Sequence, residues 1–381
     1  MEKENNYINL IIKPTNACNL RCRHCYAADI GYNAQKMQIS TVNFILNFFA
    51  QFYKNVRIIW HGGEPLLMGI DFYKEVIEIE KQFPNTMFSN GIQTNATLIN
   101  DEWIDFFKTN KINVGISYDG QYNDVLRDKT KQVQDSIKLM QDRNFRFGAI
   151  CVISGKTQDK LIEIYNHFKK LQISFKFNPL FISGEAKKHS ELFLSTDDYL
   201  ESVTKFFNLW LYDKDCNINV DNFIEAIAKS VGINKSQCSN SSCLTKWFGI
   251  TYDGNIFPCG RSFSSDYCMG NIKDFNSPEE IFLYNKYQNL LSGAIKRREW
   301  CKTNCDFYNY CRGGCNNSAI INGNLERPNI SECTITKGLI KKVESEIRNL
   351  YLKNYDINLL NPTIRNLIKR GKKNGFNYAI S

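Results

Sequence analysis

The chain has 381 residues, enough for two domains or for one barrel-sized domain with an extension, and 43% of them are hydrophobic. The first residues do not show a cationic segment followed by an apolar run, which is the pattern of a signal peptide. No stretch approaches about 18 uninterrupted apolar residues. We therefore expect a cytoplasmic protein without a membrane span. The formal net charge is +9, but the basic residues are scattered except near the C-terminus. This pattern does not indicate a nucleic-acid-binding surface.

Short apolar or β-branched runs alternate with amphipathic stretches in the first half of the chain. They predict strands at 7–12, 56–60, 86–93, 112–118, 145–153 and 174–180, and helices at 40–53, 71–82, 101–109, 132–143, 158–171 and 196–212. Regular alternation of this kind indicates βα units on a parallel sheet. The predicted fold class is therefore α/β, with a partial (β/α)6 TIM-like barrel over residues 1–232. In such barrels the chemistry occurs at the carboxyl ends of the strands.

The chain contains 14 cysteines, and in the absence of an export signal they indicate metal binding rather than disulfides. Their distribution is uneven, because three lie within residues 18–25 and most of the others lie within 238–333. We therefore expect one cofactor at the front and a Cys-rich metal domain at 233–336. Helical periodicity returns after this domain and predicts a C-terminal helical tail at 337–381.

The first cysteine motif directly follows the first predicted strand. Cys18, Cys22 and Cys25 form a C-x3-C-x2-C loop, which can bind three irons of a cubane cluster whose usual complement is four cysteines. The fourth iron then stays open for a ligand, as at a catalytic metal site. A zinc site formed by these cysteines and His24 is the alternative.

Polar residues follow the ends of later predicted strands. Gly62 and Gly63 let the backbone approach a ligand, and Glu64 offers a carboxylate to an ammonium group. Ser117 and Arg127 suit a carboxylate, for which arginine provides two donors. The alternative for the glycine pair is an ordinary structural turn, and the alternative for Arg127 is a surface cation. The segments Gln93-Thr94-Asn95 and Asp119-Gly120 also lie at or beyond the ends of later predicted strands.

In order and spacing, these motifs resemble the radical S-adenosylmethionine (SAM) superfamily from residue 7 to about 180. The resemblance implies a 4Fe–4S cluster whose open iron binds SAM, and a 5′-deoxyadenosyl radical that abstracts a substrate hydrogen. The implied SAM contacts are Gly62, Gly63 and Glu64 for the amino group, Ser117 and Arg127 for the carboxylate, Asn95 for the ribose and Tyr26 for the adenine. His61 occupies a position that varies among related enzymes, and we treat it as a candidate catalytic residue.

Eight rear cysteines match the number that saturates two Cys₄ clusters. Zinc ribbons would use the same number, so the residues alone leave both metals open. These cysteines are Cys238, Cys243, Cys259, Cys301, Cys305, Cys311, Cys315 and Cys333. We interpret Cys151, Cys216 and Cys268 as ordinary small residues.

Residues 238–333 resemble the SPASM domain of peptide-modifying radical SAM enzymes, a group that includes the anaerobic sulfatase-maturating enzymes. The resemblance implies two auxiliary 4Fe–4S clusters and hence three clusters in all. One would be held by Cys238, Cys243, Cys259 and Cys315, and the other by Cys301, Cys305, Cys311 and Cys333. Three residues, rather than the usual two, separate Cys301 from Cys305. This departure bears on which cluster each cysteine joins more than on which cysteines are ligands.

The favoured hypothesis is a maturase of ribosomally made peptides that forms a thioether or carbon–carbon cross-link. In sulfatase-maturating enzymes, the cysteine that corresponds to Cys259 is directly followed by an aspartate, which acts as the base that deprotonates the substrate. This chain has Gly260 at that position, and glycine cannot accept a proton. Formylglycine formation from serine or cysteine is therefore the second hypothesis. A non-catalytic iron–sulfur or zinc-binding module is the third. Asp253 and Arg261 are the nearest candidates for polar contacts with the substrate, and together with His61 they are the candidate catalytic residues.

The expected partners are a peptide or protein substrate and a flavodoxin- or ferredoxin-type reductant. The first cysteine motif begins at residue 18, so we expect no preceding peptide-recognition domain. Leader binding would then come from a separate protein, from the barrel mouth, or from the rear region and tail.

Overall fold

The computed structural model describes residues 6–27, 35–231, 243–263, 265–353 and 355–373. The predicted metal ligand Cys238 lies outside these residues. Among the helices of the described residues, none combines the length and the apolar character that a membrane crossing requires.

Six parallel strands form the front of the structure. They are β1 (Tyr7–Ile12), β2 (Asn55–Trp60), β3 (Met87–Thr94), β4 (Asn113–Ser117), β5 (Phe147–Ile153) and β6 (Phe175–Pro179). Each pairs with the next in chain order, and their inward apolar side chains are buried. This arrangement confirms the predicted α/β fold class with a partial (β/α)6 barrel.

Helices connect the strands and cover the sheet. They are α1 (Ile39–Ala50), α2 (Ile70–Glu80), α3 (Asp101–Thr109), α4 (Thr130–Asp142), α5 (Leu161–Lys170) and α6 (Thr196–Leu211). In α3 the side chain of Asn100 caps the first turn by accepting from Trp103 N, and acidic residues occupy that turn, as the helix dipole favours. A further helix, α7 (Asp221–Ser230), is one that the sequence analysis did not predict.

The Cys-rich region adds two strands to the same sheet. The strand β7 (Trp247–Ile250) pairs parallel with β1, and β8 (Ile256–Phe257) pairs antiparallel with β7. The sheet order is therefore β6-β5-β4-β3-β2-β1-β7-β8. Because β7 lies beside β1, the segment around Cys259 is brought close to the carboxyl end of the first strand.

The rear of the structure is helical. Its helices are α8 (Pro278–Leu283), α9 (Asn285–Asn304), α10 (Tyr308–Cys311), α11 (Asn316–Ile321), α12 (Ile330–Leu352) and α13 (Pro362–Lys373). The predicted tail residues Val343 and Ile347 are buried, where α12 packs against α6 and α7. The helix α12 begins before residue 337 and contains Cys333, so it links the Cys-rich region to the tail without a break.

Candidate active site

The three front cysteines lie in the loop that follows β1. Their side chains are partly exposed, and Cys25 N donates to Cys22 O over 3.1 Å, which closes a turn between two of them. Burial raises the pKa of Cys22 to about 12, and the Arg127 guanidinium opposes this shift. A metal must displace the proton of such a thiol. The nearby cation favours the thiolate that would result.

The glycine pair after β2 holds the chain that leads into this loop. Gly63 N donates to Thr15 O over 3.1 Å, and Glu64 N donates to Ala17 O over 2.7 Å. A Cβ on Gly63 would lie 1.9 Å from Ala17 O, and Gly62 has a φ of +119°. Glycine is therefore required here for close backbone approach. The implied contact of both glycines with the SAM amino group stays a prediction.

Glu64 is fully buried and is held by three donors. Its Oε1 accepts from Leu66 N over 3.0 Å and from Thr94 Oγ1 over 2.7 Å, and its Oε2 accepts from Asn95 N over 2.8 Å. Burial raises the pKa of Glu64 to about 7, and these hydrogen bonds oppose that shift. Among the described residues no cation pairs with this carboxylate, so the site fits a ligand that brings an ammonium group.

Asn95 connects Glu64 to the cysteine loop. Its Nδ2 donates to Asn19 Oδ1 over 2.8 Å and lies 3.9 Å from Cys18 Sγ, and its Oδ1 accepts from Thr97 N over 3.0 Å. These contacts give Asn95 a role in orienting the loop. The implied ribose contact stays a prediction.

Arg127 forms a buried ion pair with Asp119. Arg127 Nε lies 2.8 Å from Asp119 Oδ2, and the two side chains are 8% and 3% exposed. The surface interpretation of Arg127 is therefore wrong. Nearby, Ser117 Oγ accepts from Gln93 Nε2 over 3.1 Å, which positions the hydroxyl at the carboxyl end of β4. The implied contacts of Ser117 and Arg127 with the SAM carboxylate stay predictions.

Tyr26 joins the front loop to the Cys-rich region. Its hydroxyl donates to Gly260 O over 3.2 Å, and burial raises the pKa of Tyr26 well above its usual value. Gly260 is itself buried, and a Cβ there would lie 2.4 Å from Ile11 Cδ1. The position after Cys259 is therefore closed by β1. Contact of Tyr26 with adenine stays a prediction.

Two of the three candidate catalytic residues lie near this junction. The His61 ring centroid is 6.2 Å from that of Tyr26, and His61 Nδ1 accepts from Gly62 N over 2.7 Å. Burial first, and then neighbouring cations, lower the pKa of His61 to about 3, so the imidazole is neutral at pH 7. Arg261 is exposed, with its guanidinium carbon 4.9 Å from the centroid of the Phe181 ring.

Asp253 lies apart from this junction, in the turn between β7 and β8. Its Oδ1 accepts from Thr251 Oγ1 over 2.6 Å, and its Oδ2 accepts from Asn255 Nδ2 over 2.8 Å. Asp253 is thus engaged within its own turn. The structure does not bring it together with the other candidate residues.

The sequence analysis missed Lys13, which directly follows β1. This lysine is 7% exposed, and its Nζ lies 3.2 Å from the centroid of the Phe263 ring and 4.9 Å from that of Tyr26. The sequence feature that could have identified Lys13 is its position directly after an apolar strand. Its importance depends on Phe263, which is distant in the sequence.

Four rear cysteines converge where the end of α9, α10 and the start of α12 meet. Burial first, and then the neighbouring Cys311, Cys333 and Cys305, raise the pKa of Cys301 to about 11. Thiols that influence one another in this way lie close together. This group matches the implied second auxiliary site.

The implied first auxiliary site is only partly described, because Cys238 lies outside the described residues. Asn316 Nδ2 donates to Cys243 Sγ over 3.0 Å. A Cβ on Gly249 of β7 would lie 2.7 Å from Cys259 O, so glycine allows this loop to approach the strand. No three described His, Cys, Asp or Glu side chains converge on the position of a single ion.

Comparisons with known proteins agree with this site. Residues 12–168 match the radical SAM superfamily, and residues 238–306 match the iron–sulfur cluster-binding SPASM domain. A cysteine-type anaerobic sulfatase-maturating enzyme from Clostridium novyi is 32% identical over 331 residues, which cover 81% of this chain and 87% of that protein.

Solved structures share the fold. Native anSMEcpe with bound AdoMet and Kp18Cys peptide has a TM-score of 0.78 at 23% identity, covering 90% of this chain and 99% of that chain. SuiB from Streptococcus suis bound to the precursor peptide SuiA has a TM-score of 0.62 at 18% identity, covering 84% of this chain and 74% of that chain.

The protein is a radical SAM enzyme with a SPASM domain. Within that class it belongs to the family that includes the anaerobic sulfatase-maturating enzymes. Its cofactors are SAM, a 4Fe–4S cluster and the additional iron–sulfur clusters of the SPASM domain. The zinc alternatives for the front and rear cysteines are therefore not supported.

Anaerobic reconstitution is expected to give about twelve irons per chain, from three 4Fe–4S clusters. The expectation rests on three cysteines in the front loop and eight in the rear region. Iron and acid-labile sulfide assays, with zinc measured in parallel, check it. About four irons, or stoichiometric zinc, would contradict the assignment of two auxiliary clusters.

Proposed function

We propose that the protein oxidises a cysteine or serine side chain of a peptide or protein substrate to an aldehyde. The sequence analysis placed this hypothesis second, after peptide cross-linking, but the sulfatase-maturating relatives favour it. The structural observation that supports it best is the hydrogen bond from Tyr26 to Gly260. Tyr26 follows a front cysteine and Gly260 follows a rear one, so this bond brings the loop that would hold the radical-generating cluster next to a segment that would hold an electron-accepting one.

When bound, SAM and the front cluster supply a 5′-deoxyadenosyl radical that takes a hydrogen atom from the substrate. The chain prepares this step by position and charge. Gly63 and Asn95 hold the cysteine loop, Glu64 supplies a buried anion for the SAM ammonium group, and Arg127 supplies a buried cation for its carboxylate. Fixed charges in a water-poor site act strongly and need no reorganisation.

The proposed substrate is a peptide segment that enters beside Arg261 and His61. The peptide-bound structures of anSMEcpe and SuiB support this substrate class. Arg261 is exposed and bonds to polar groups of the entering chain, while the neutral His61 lies deeper. We further propose a flavodoxin- or ferredoxin-type reductant. Where a leader peptide is present, a separate protein binds it.

Cross-linking is the second candidate, and one observation favours it. A carboxylate base at position 260 would have to displace Ile11 of β1, because even a Cβ there clashes with that side chain. A cross-linking enzyme would remove two hydrogens from its peptide without forming an aldehyde.

The test incubates the reconstituted protein anaerobically with SAM, dithionite and a sulfatase-derived peptide carrying cysteine or serine at the target position. Aldehyde formation, trapped by a hydrazine and identified by mass spectrometry, is the expected result. Loss of two hydrogens without an aldehyde would support cross-linking. SAM cleavage that leaves the cysteine peptide and the serine peptide unchanged would contradict the proposed oxidation of these substrates.

A further inference from the structure

Oxidation of a cysteine or serine to an aldehyde requires a proton acceptor as well as a radical. The carbon loses a hydrogen atom, and the sulfur or oxygen loses a proton. A general base must lie within hydrogen-bond reach of that proton. Gly260 cannot serve, and Ile11 fills the space beside it. The acceptor must therefore be another residue near the junction of Tyr26 and Gly260.

Lys13 directly follows β1, the strand whose Ile11 lies against Gly260. It is two residues beyond Ile11, and side chains two apart along an extended strand point to the same face. The strand pairing continues through Lys13, because Lys13 N donates to Ile250 O over 2.7 Å. The rings of Tyr26 and Phe263 enclose the amine. Lys13 thus lies between the front loop and the segment that follows Cys259.

The surroundings of Lys13 suit an amine that gains and loses a proton. Among the described residues no carboxylate pairs with Nζ, and the groups that act on it electrostatically include Cys25, Cys259 and His61. Burial lowers the pKa of Lys13 to about 7, while Cys25 and Cys259 oppose the shift. A base with a pKa near the working pH is the most efficient.

Three other described groups, His61, Glu64 and Arg261, are poorer acceptors. The pKa of His61 is lowered to about 3, so its imidazole binds a proton only weakly at pH 7. Glu64 already accepts from three donors. Arg261 stays protonated, as arginine does in proteins.

We propose that Lys13 is the base that accepts the substrate proton, an inference that rests on the proposed oxidation. The carbon-bound hydrogen atom goes to the 5′-deoxyadenosyl radical, and the thiol or hydroxyl proton goes to the Lys13 amine. When bound, an oxidised auxiliary 4Fe–4S cluster would accept the remaining electron. A carbon–sulfur or carbon–oxygen double bond forms. Water then converts a thioaldehyde to the aldehyde and hydrogen sulfide.

The test compares Lys13→Ala and Lys13→Arg with the parent, using a cysteine peptide deuterated at Cβ. Both variants should keep their iron and still transfer deuterium into 5′-deoxyadenosine, while aldehyde formation falls by about a hundredfold or more. Added ethylamine should restore aldehyde formation to Lys13→Ala and not to Lys13→Arg. The matched control is Lys246→Ala, because Lys246 packs 4.5 Å from the Tyr7 ring at the opposite end of β1.

Aldehyde formation by Lys13→Ala within about threefold of the parent would overturn the proposal, because a general base contributes at least a hundredfold. Loss of deuterium transfer, or no rescue by ethylamine, would equally overturn it and indicate a structural role. If the parent itself makes no aldehyde, the proposed oxidation fails. In that case, competitive acetylation of the cluster-loaded parent at a series of pH values measures the protonation of the Lys13 amine. Half-maximal reactivity near pH 7 is expected, and reactivity that rises only above about pH 9 overturns the inference.

Discussion

Replacing Cys18, Cys22 and Cys25 together with alanine is expected to abolish SAM cleavage and to leave about eight irons per chain. These three cysteines share one loop after β1, whereas the other predicted ligands belong to the rear region. The implied ligand sets share no cysteine, so the auxiliary sites should load without the front cluster. Iron analysis and chromatographic detection of 5′-deoxyadenosine after incubation with SAM and dithionite measure both effects.

Cys268→Ala is the matched control for the triple variant. Cys268 is a partly exposed cysteine of the rear region whose thiol donates to Gly270 O over 3.9 Å, and it has no predicted place in a cluster. This variant should keep its full iron content and its SAM cleavage. Continued 5′-deoxyadenosine production by the triple variant would refute the front assignment. Loss of all iron would show that the clusters do not load separately.

The strands of the front sheet could be predicted because each is a local signal. Residues such as Ile8, Leu10 and Ile12 form a short apolar run, and they are completely buried in the sheet. Burial on both faces produces such runs in parallel sheets. The pairing of β1 with β7 could not be predicted in this way, because Asn9 pairs with Trp247 from a distant part of the chain.

The candidate site shows the same division between local and distant information. The spacing of Cys18, Cys22 and Cys25 is local, and it predicted a loop that the structure contains. The state of Glu64 depends on Thr94 and Asn95, which belong to the end of another strand. Sequence spacing therefore identified the carboxylate but not the donors that hold it.

Lys13 and Arg127 show how charge alone can mislead. A lysine and an arginine in a sequence are ordinarily solvated, yet both side chains are buried here. Arg127 is stabilised by Asp119, which lies eight residues away in the chain. Lys13 is enclosed by aromatic rings from two separate regions. Only the folded structure shows which charged residues are buried and which lie on the surface.

Gly63→Ala is expected to weaken binding of the front cluster and to lower SAM cleavage by about a hundredfold, since a displacement of about 1 Å at a catalytic site can cost that much. The added methyl group would lie 1.9 Å from Ala17 O and 2.5 Å from Ala17 C, which are backbone atoms that cannot rotate away. Ala17 directly precedes Cys18, so the first ligand must move with it. The rear sites should keep about eight irons.

Gly91→Ala is the matched control for this substitution. Gly91 lies in β3, and a Cβ there would be no closer than 3.5 Å to any neighbour, which is ordinary contact. This variant should keep its iron and its SAM cleavage, and thermal unfolding should show that both variants are folded. If Gly63→Ala instead retains full iron and cleaves SAM within about threefold of the parent, the backbone approach of β2 to Ala17 does not position Cys18. The glycine pair would then act on SAM alone, as the family resemblance implies.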